Sequence, residues 1–235
     1  DGSSFVLMDG KVGSFSADDA FNSEIGDSVD YLDPRWLART DAFVFVEQVI
    51  DVPNWDGTVT GSATISDAIF GTTLSTGTTS GSVAQLFNGV VPARGVPSWD
   101  KDRVFRTAVE IKNSDADRID YYTTGRPANG DEGFGFKLVE VSGTPTLQGI
   151  VHNGSSETAT DLIANPGTGE RDLRAELDAG SSVTFYVDGN KKGTISSGLP
   201  TGTNQAVVPV VWYVENTAAV DRGLQVSEVW TVGAP

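Results

Sequence analysis

The stretch Val183-Thr184-Phe185-Tyr186-Val187-Asp188-Gly189-Asn190-Lys191-Lys192-Gly193-Thr194-Ile195 decides the fold. Val183, Phe185 and Val187 alternate with Thr184 and Tyr186, the period-2 pattern of a half-buried strand. Asp188-Gly189-Asn190 then accommodates positive φ, which a tight hairpin turn requires. Gly193-Thr194-Ile195 continues the return strand, and Gly198-Leu199-Pro200 ends the pair and starts a crossing to a second sheet. On either side, Asp172–Leu177, Val207–Val214 and Leu224–Val232 repeat the strand signature between turn residues. The last third of the chain therefore predicts an all-β sandwich.

The pattern extends toward the N-terminus. In Asp102–Lys112, Phe105, Thr107, Val109 and Ile111 face one way, while Arg106, Glu110 and Lys112 face the other. Ile119–Thr123, Gly133–Val141 and Thr146–Val151 follow at sandwich spacing. Phe43, Phe45 and Val44, Val46 are apolar on both faces, as in a buried central strand. Asn54-Trp55-Asp56-Gly57 reads as a turn, and residues 58–90, rich in Thr, Ser and Gly, read as edge strands with long loops. The expectation is about a dozen strands and very little helix. Residues 1–40 differ and form a short irregular or helical arm: Ser16–Glu24 suits a short capped helix, and Pro34 opens a single turn. The arm's Phe15, Phe21, Tyr31, Trp36 and Leu37 need cover, from the sandwich or from a neighbouring subunit. Residues 41–235 form the sandwich itself.

At 235 residues the chain suits one all-β domain. It contains no cysteine, which excludes a disulfide framework and cysteine zinc sites. Asp and Glu number 32 against 16 Lys and Arg, for a formal net charge of -16. No basic stripe exists and the field repels phosphate, so nucleic acid is excluded as a partner. No apolar run reaches the roughly 18 residues of a membrane span, and the first residues carry no basic-then-apolar signal pattern. An acidic, lysine-poor surface suits molar salt, where a Debye length of ~3 Å screens self-repulsion. An ordinary acidic protein is the alternative.

The hairpin string at 183–200 resembles that of concanavalin A-like (laminin-G-like) jelly-roll domains, which carry F-Y-V-D-G, G-T and L-P elements near the C-terminus. Arg222–Val226 with Val229–Val232 resembles the closing strand of that fold, and Gly133–Leu138 with Leu147–Thr160 its middle strands. The resemblance covers about residues 100–232 and implies a two-sheet antiparallel jelly roll whose last strand returns beside an early one. Similar modules occur in head fibres, turrets and spikes of tailed viruses, in secreted lectins and in glucanases.

Family 16 β-glucanases place carboxylates on one strand as E-x-D-x-E or E-x-D-x-x-E, so that alternation aims them at the cleft. No segment here carries that string, which argues against an enzyme. The one histidine, His152, precedes Asn153-Gly154 and reads as a solvated loop residue. Calcium is the one metal candidate, no cofactor being otherwise implied, with Asp100, Asp102, Asp115 and Asp117 as the densest acidic positions. For glycan binding, an aromatic platform with flanking carboxylates points to Trp55 and Asp56, Trp99 and Asp100, and Tyr121 and Tyr122; Trp212 and Trp230 sit in strands and read as core. Asn153-Gly154-Ser155 is a glycosylation sequon. Pro209 marks Val207–Trp212 as an edge strand or a bulge; an apolar edge there needs cover, a hint of self-association.

Fold, charge and the missing catalytic string together give the expectation of a non-enzymatic virion-surface subunit (turret, spike or decoration protein) of a halophilic virus. It would sit on the virion surface or extracellularly, a homo-oligomer among other virion proteins, touching host glycans and inserting into no membrane. A secreted lectin-like carbohydrate-binding module is the alternative, and a glycan-active enzyme the third.

Overall fold

The structure, a computed structural model, describes residues 3–6, 12–15, 43–47, 55–68, 71–87, 99–113, 117–125, 128, 130–201 and 210–233. The described strands begin with β1 (Ser3–Val6), β2 (Val12–Phe15), β3 (Phe43–Glu47), β4 (Asp56–Thr60), β5 (Thr64–Ala68) and β6 (Gly71–Ser75). They continue with β7 (Val83–Phe87), β8 (Arg103–Ile111), β9 (Arg118–Gly125), β10 (Gly133–Val141), β11 (Thr144–His152) and β12 (Glu157–Ala164). The last are β13 (Gly169–Asp178), β14 (Ser182–Val187), β15 (Asn190–Ile195), β16 (Val211–Asn216) and β17 (Gly223–Gly233). These seventeen exceed the expected dozen, chiefly because the Thr/Ser/Gly-rich segment folds into β4, β5, β6 and β7.

Two antiparallel sheets form a sandwich. One has seven strands in the order β12-β11-β10-β9-β16-β7-β4. The other has eight, β15-β14-β13-β8-β17-β6-β5, with β3 also paired to β17. The closing strand β17 lies beside β8 along its length and beside the early strands β6 and β3 on its other side. Among the described strands, β3 is bonded on one side only, to β17. Among the described strands, β1 and β2 pair with each other, so the described part of the N-terminal arm is a hairpin. The expected helical pieces at 16–24 and 34–37 and the arm's aromatic side chains lie outside the described residues.

The decisive hairpin is β14–β15, and Asp188 (φ 51°) and Gly189 (φ 74°) both turn left-handed, as a type I′ connection demands. Strand alternation builds the core. Phe105, Val109 and Ile111 of β8 and Leu173, Ala175 and Leu177 of β13 point inward with Val183, Phe185 and Val187 of β14. From the opposite sheet come Leu86, Trp212, Val214, Tyr122, Phe134, Phe136 and Leu138. The sheets touch through Phe136 and Phe185, whose rings meet edge-on at 5.7 Å. Gly149 of β11 lies directly beneath Phe185: a Cβ there would stand 2.6 Å from the ring. A Gly149→Ala substitution is accordingly expected to destabilise by about 1–3 kcal/mol through overpacking, read as a lowered thermal midpoint.

One end of the sandwich holds a buried polar knot. Arg118 and Asp120, neighbours on one face of β9, form an ion pair buried from solvent (side chains 1% and 0% exposed). The Arg118 Nε donates to Asp120 Oδ1 at 3.1 Å, a second guanidinium nitrogen donates to Asp120 Oδ2, and a third to the Asn113 carbonyl. The Tyr122 hydroxyl donates to Asp120 Oδ2 at 2.5 Å. Burial pushes the Asp120 carboxyl up, against the opposing pull of Arg118, Tyr122 and Arg222. Nearby, buried Asn216 ties together the β6–β7 and β16–β17 loops: its Oδ1 accepts from Ser82 N–H at 2.9 Å, and its Nδ2 donates to the Gly77 and Val220 carbonyls at 3.0 Å. Strand β16 lies between β9 and β7, so the described part of this apolar segment is a central strand and not the edge that is one of its two readings. Pro209 itself lies outside the described residues.

Candidate functional site

The outward face of the seven-stranded sheet gathers aromatic, charged and amide side chains from strands far apart in sequence. The register aligns Gln85 of β7, Tyr213 of β16, Tyr121 of β9, Lys137 of β10, Gln148 of β11 and Asp161 of β12 in one row across the sheet. Each lies opposite an inward-facing neighbour, as the pleat requires: Trp212 and Tyr122 fill the core while Tyr213 and Tyr121 face out. The adjoining outward row, Val211, Thr123 and Ile150, is fully buried, and its Val211 and Ile150 stand apart from the main core cluster. The half-exposed tyrosines thus border a closed apolar strip.

The Tyr121 and Tyr213 rings meet edge-on at 5.8 Å with an interplanar angle of 78°. Lys137 Nζ sits 5.0 Å from the Tyr121 ring centre and 2.7 Å from Glu157 Oε1. The Tyr121 hydroxyl donates to Glu157 Oε2 at 3.3 Å, and the Tyr213 hydroxyl to Glu215 at 2.6 Å. Gln148 Nε2 donates to Asp161 at 2.7 Å. Burial pushes the Tyr121 phenol up, and burial with the Glu215 hydrogen bond and charge pushes Tyr213 up, so both remain protonated donors at neutral pH. Burial works against the Lys137 ammonium, but its bonds to Glu157 and Tyr121 outweigh that and hold it above its ordinary value. The result is an ordered array of ring surfaces, carboxylates, an ammonium and amides held rigid on strands.

The residues expected to bind glycan divide. Tyr121 lies in the array. Trp55 packs in the core at 4.9 Å from Trp212. Trp99 is fully buried, edge-on to Phe134 at 5.9 Å and covered by the Arg103 guanidinium at 4.0 Å. Burial pushes that guanidinium down to about 9, which leaves it charged at neutral pH. Tyr122 is fully buried with its hydroxyl on Asp120. None of these three rings offers a platform to solvent. Asp56 is exposed on edge strand β4, and Asp100 is exposed beside Trp99.

The described acidic positions form no shared cluster. Asp102 accepts the Ala179 N–H at 3.0 Å, Asp117 stands 3.9 Å from Arg222, and Asp115 lies outside the described residues. Among the described residues no group of three or more His, Asp or Glu is placed to hold a metal. His152 is the last residue of β11 and is 8% exposed, so the expected solvated loop histidine is instead a buried strand residue. The strand runs one residue further than the Asn-Gly turn signal implies. Asn153 opens the turn to β12, with Gly154 and Ser155 exposed. The Trp230 side chain lies outside the described residues. Tyr213, Lys137, Glu157 and Gln148 were not among the sequence candidates; the alternation of Trp212 with Tyr213 is the signal that could have found one of them.

No family model matches the sequence, and no curated protein matches it. Solved structures do match. A protein of unknown function from Shewanella oneidensis MR-1 superposes with a TM-score of 0.55 at 12% identity, over 82% of this chain and 87% of that one. The β-glucanase of Bacillus licheniformis gives 0.52 at 12% identity, over 82% and 98%. The binding domain of botulinum neurotoxin serotype D/C gives 0.51 at 8% identity, over 75% of this chain and 43% of that one, so the likeness spans under half of its length. With the two antiparallel sheets and the returning last strand, these establish the class: the chain is a concanavalin A-like jelly-roll sandwich. At such identities the likeness shows the fold and leaves the function to the site.

Proposed function

We propose that this jelly roll is a non-catalytic carbohydrate-binding module that takes neutral glycans on the outward face of its seven-stranded sheet. The observation that carries the reading is the half-exposed Tyr121–Tyr213 pair bracketed by hydrogen-bonded Lys137, Glu157, Glu215, Gln148 and Asp161. A pyranose has an apolar C–H face and a rim of hydroxyls. Aromatic rings suit the first, and fixed carboxylates and amides suit the second. The charge on this face favours neutral over acidic sugars. Glu157, Glu215 and Asp161 outnumber Lys137, and the chain as a whole stands at -16. The fold class supports the reading only as a scaffold on which glycan recognition is built.

The virion-surface expectation gains no support from the fold or from the similar structures, and the binding module takes its place as the leading reading. An extracellular setting and self-association are compatible with it and are carried by no particular residue. The test is a glycan panel read by calorimetry at moderate salt. Neutral oligosaccharides are expected to bind with Kd of ~10 μM to 1 mM, about −7 to −4 kcal/mol, while sialylated, sulfated and uronic-acid glycans do not. Binding confined to acidic glycans, or to none, would count against the reading.

A further inference from the structure

The turn between β11 and β12 places three chemically matched groups around one peptide bond. His152 Nδ1 accepts a hydrogen bond from the Gly154 N–H at 3.1 Å. As an acceptor, that nitrogen is unprotonated, with the ring proton on Nε2. The Asn153 side-chain oxygen accepts from the Ser155 N–H at 3.0 Å, the Ser156 N–H at 2.9 Å and the Ser156 hydroxyl at 3.4 Å. Gly154 has φ 83° and no side chain to shield its nitrogen. The histidine is largely buried, so its ring is fixed against the turn.

We propose that Asn153–Gly154 is a self-modifying site, at which the fold promotes conversion of Asn153 to aspartate and isoaspartate with His152 as the general base. His152 Nδ1 takes the Gly154 amide proton, and the Gly154 nitrogen forms a bond to Asn153 Cγ. The negative charge that develops on Oδ1 is met by the three donors of Ser155 and Ser156, an arrangement of the oxyanion-hole kind. Collapse of the adduct breaks the Cγ–Nδ2 bond, and Nδ2 leaves as ammonia with the proton that His152 returns. The cyclic imide that remains is opened by water at either carbonyl, giving aspartate or isoaspartate. A base within hydrogen-bond reach of the proton it removes satisfies the first condition for general-base catalysis. Asn-Gly alone is a reactive dipeptide; what this fold adds is the base and the cradled oxygen. The product adds a negative charge one turn from Glu157, which holds Lys137 on the tyrosine face.

The sequence supplies internal references, because Asn88-Gly89 and Asn129-Gly130 are the same dipeptide without a preceding histidine. The full chain is incubated at neutral pH and physiological temperature, folded and in urea, and the three sites are followed by peptide mapping with isoaspartate detection. The folded wild type is expected to convert Asn153 faster than its urea-unfolded chain does. His152→Gln is expected to slow Asn153 in the folded state by about 100-fold, with the rates at Asn88 and Asn129 unchanged. Conversion of Asn153 that is slower in the folded chain than in urea, or equal in wild type and His152→Gln, would overturn the proposal. A variant merely loosened by the substitution would move all three sites together and would overturn it as well.

Discussion

Replacing Asp120 with Ala is expected to destabilise the protein by about 3–5 kcal/mol, because it strands the Arg118 guanidinium in the interior. Arg118 is 1% exposed and directs two nitrogens at Asp120, so the substitution removes two charge-assisted bonds from a buried cation. The Tyr122 hydroxyl loses its acceptor in the same step. The Arg118→Met/Asp120→Leu double variant, which removes both charges, should recover most of the loss, since a buried pair replaced by apolar groups is often neutral. Chemical unfolding of wild type, the single variants and the double variant measures the coupling. A single variant within 1 kcal/mol of wild type would show that the pair is solvated.

Trp212→Ala is expected to cost a comparable 3–5 kcal/mol, for a different reason. Trp212 is fully buried on β16, tilted against Trp55 at 4.9 Å. Its indole N–H donates to Thr107 Oγ1 at 3.1 Å, a bond that crosses from one sheet to the other. Truncation leaves a cavity between the sheets and removes the bond the Thr107 hydroxyl accepts, while that hydroxyl still donates to the Glu228 carbonyl at 2.9 Å. Trp212→Phe keeps most of the packing but loses the bond, and should cost about 1–2 kcal/mol less than the alanine variant. Equal losses for the two would assign the effect to the hydrogen bond rather than to volume.

The parts of this fold written in short-range signals were legible in the sequence. The Asp188-Gly189 turn required left-handed backbone and the structure has it, and the inward set Phe105, Thr107, Val109 and Ile111 lines the core as alternation implies. What was illegible depended on strand order. Val207–Trp212 reads as an apolar edge or a bulge in isolation, but β16 is enclosed by β9 and β7, whose partners lie some 90 and 125 residues earlier in the chain. The candidate site failed to show for the same reason: Tyr121, Lys137, Glu157 and Tyr213 come from four strands and meet only through register. Trp55 and Trp99 drew attention because aromatic residues beside Asp in turn-like sequence suit either a platform or a core. Here Trp212, Phe134 and Arg103 cover them. In Tyr121-Tyr122 the pleat sends one ring out and one in, so at most one of the two could serve a ligand.

Glycan binding is proposed to reside on the tyrosine face of the seven-stranded sheet. The most direct measurement compares the affinity of the best neutral ligand from the panel for wild type, Tyr121→Ala, Tyr213→Ala and Tyr186→Ala. Tyr186 faces outward on the opposite sheet, stacked on Arg174 at 4.1 Å, and reports on nonspecific aromatic contact. Either of the first two substitutions is expected to weaken binding at least about 10-fold, near 1.4 kcal/mol, in protein that still unfolds cooperatively above the assay temperature, while Tyr186→Ala binds as wild type does. Loss of binding in Tyr186→Ala with retention in Tyr121→Ala and Tyr213→Ala would contradict it.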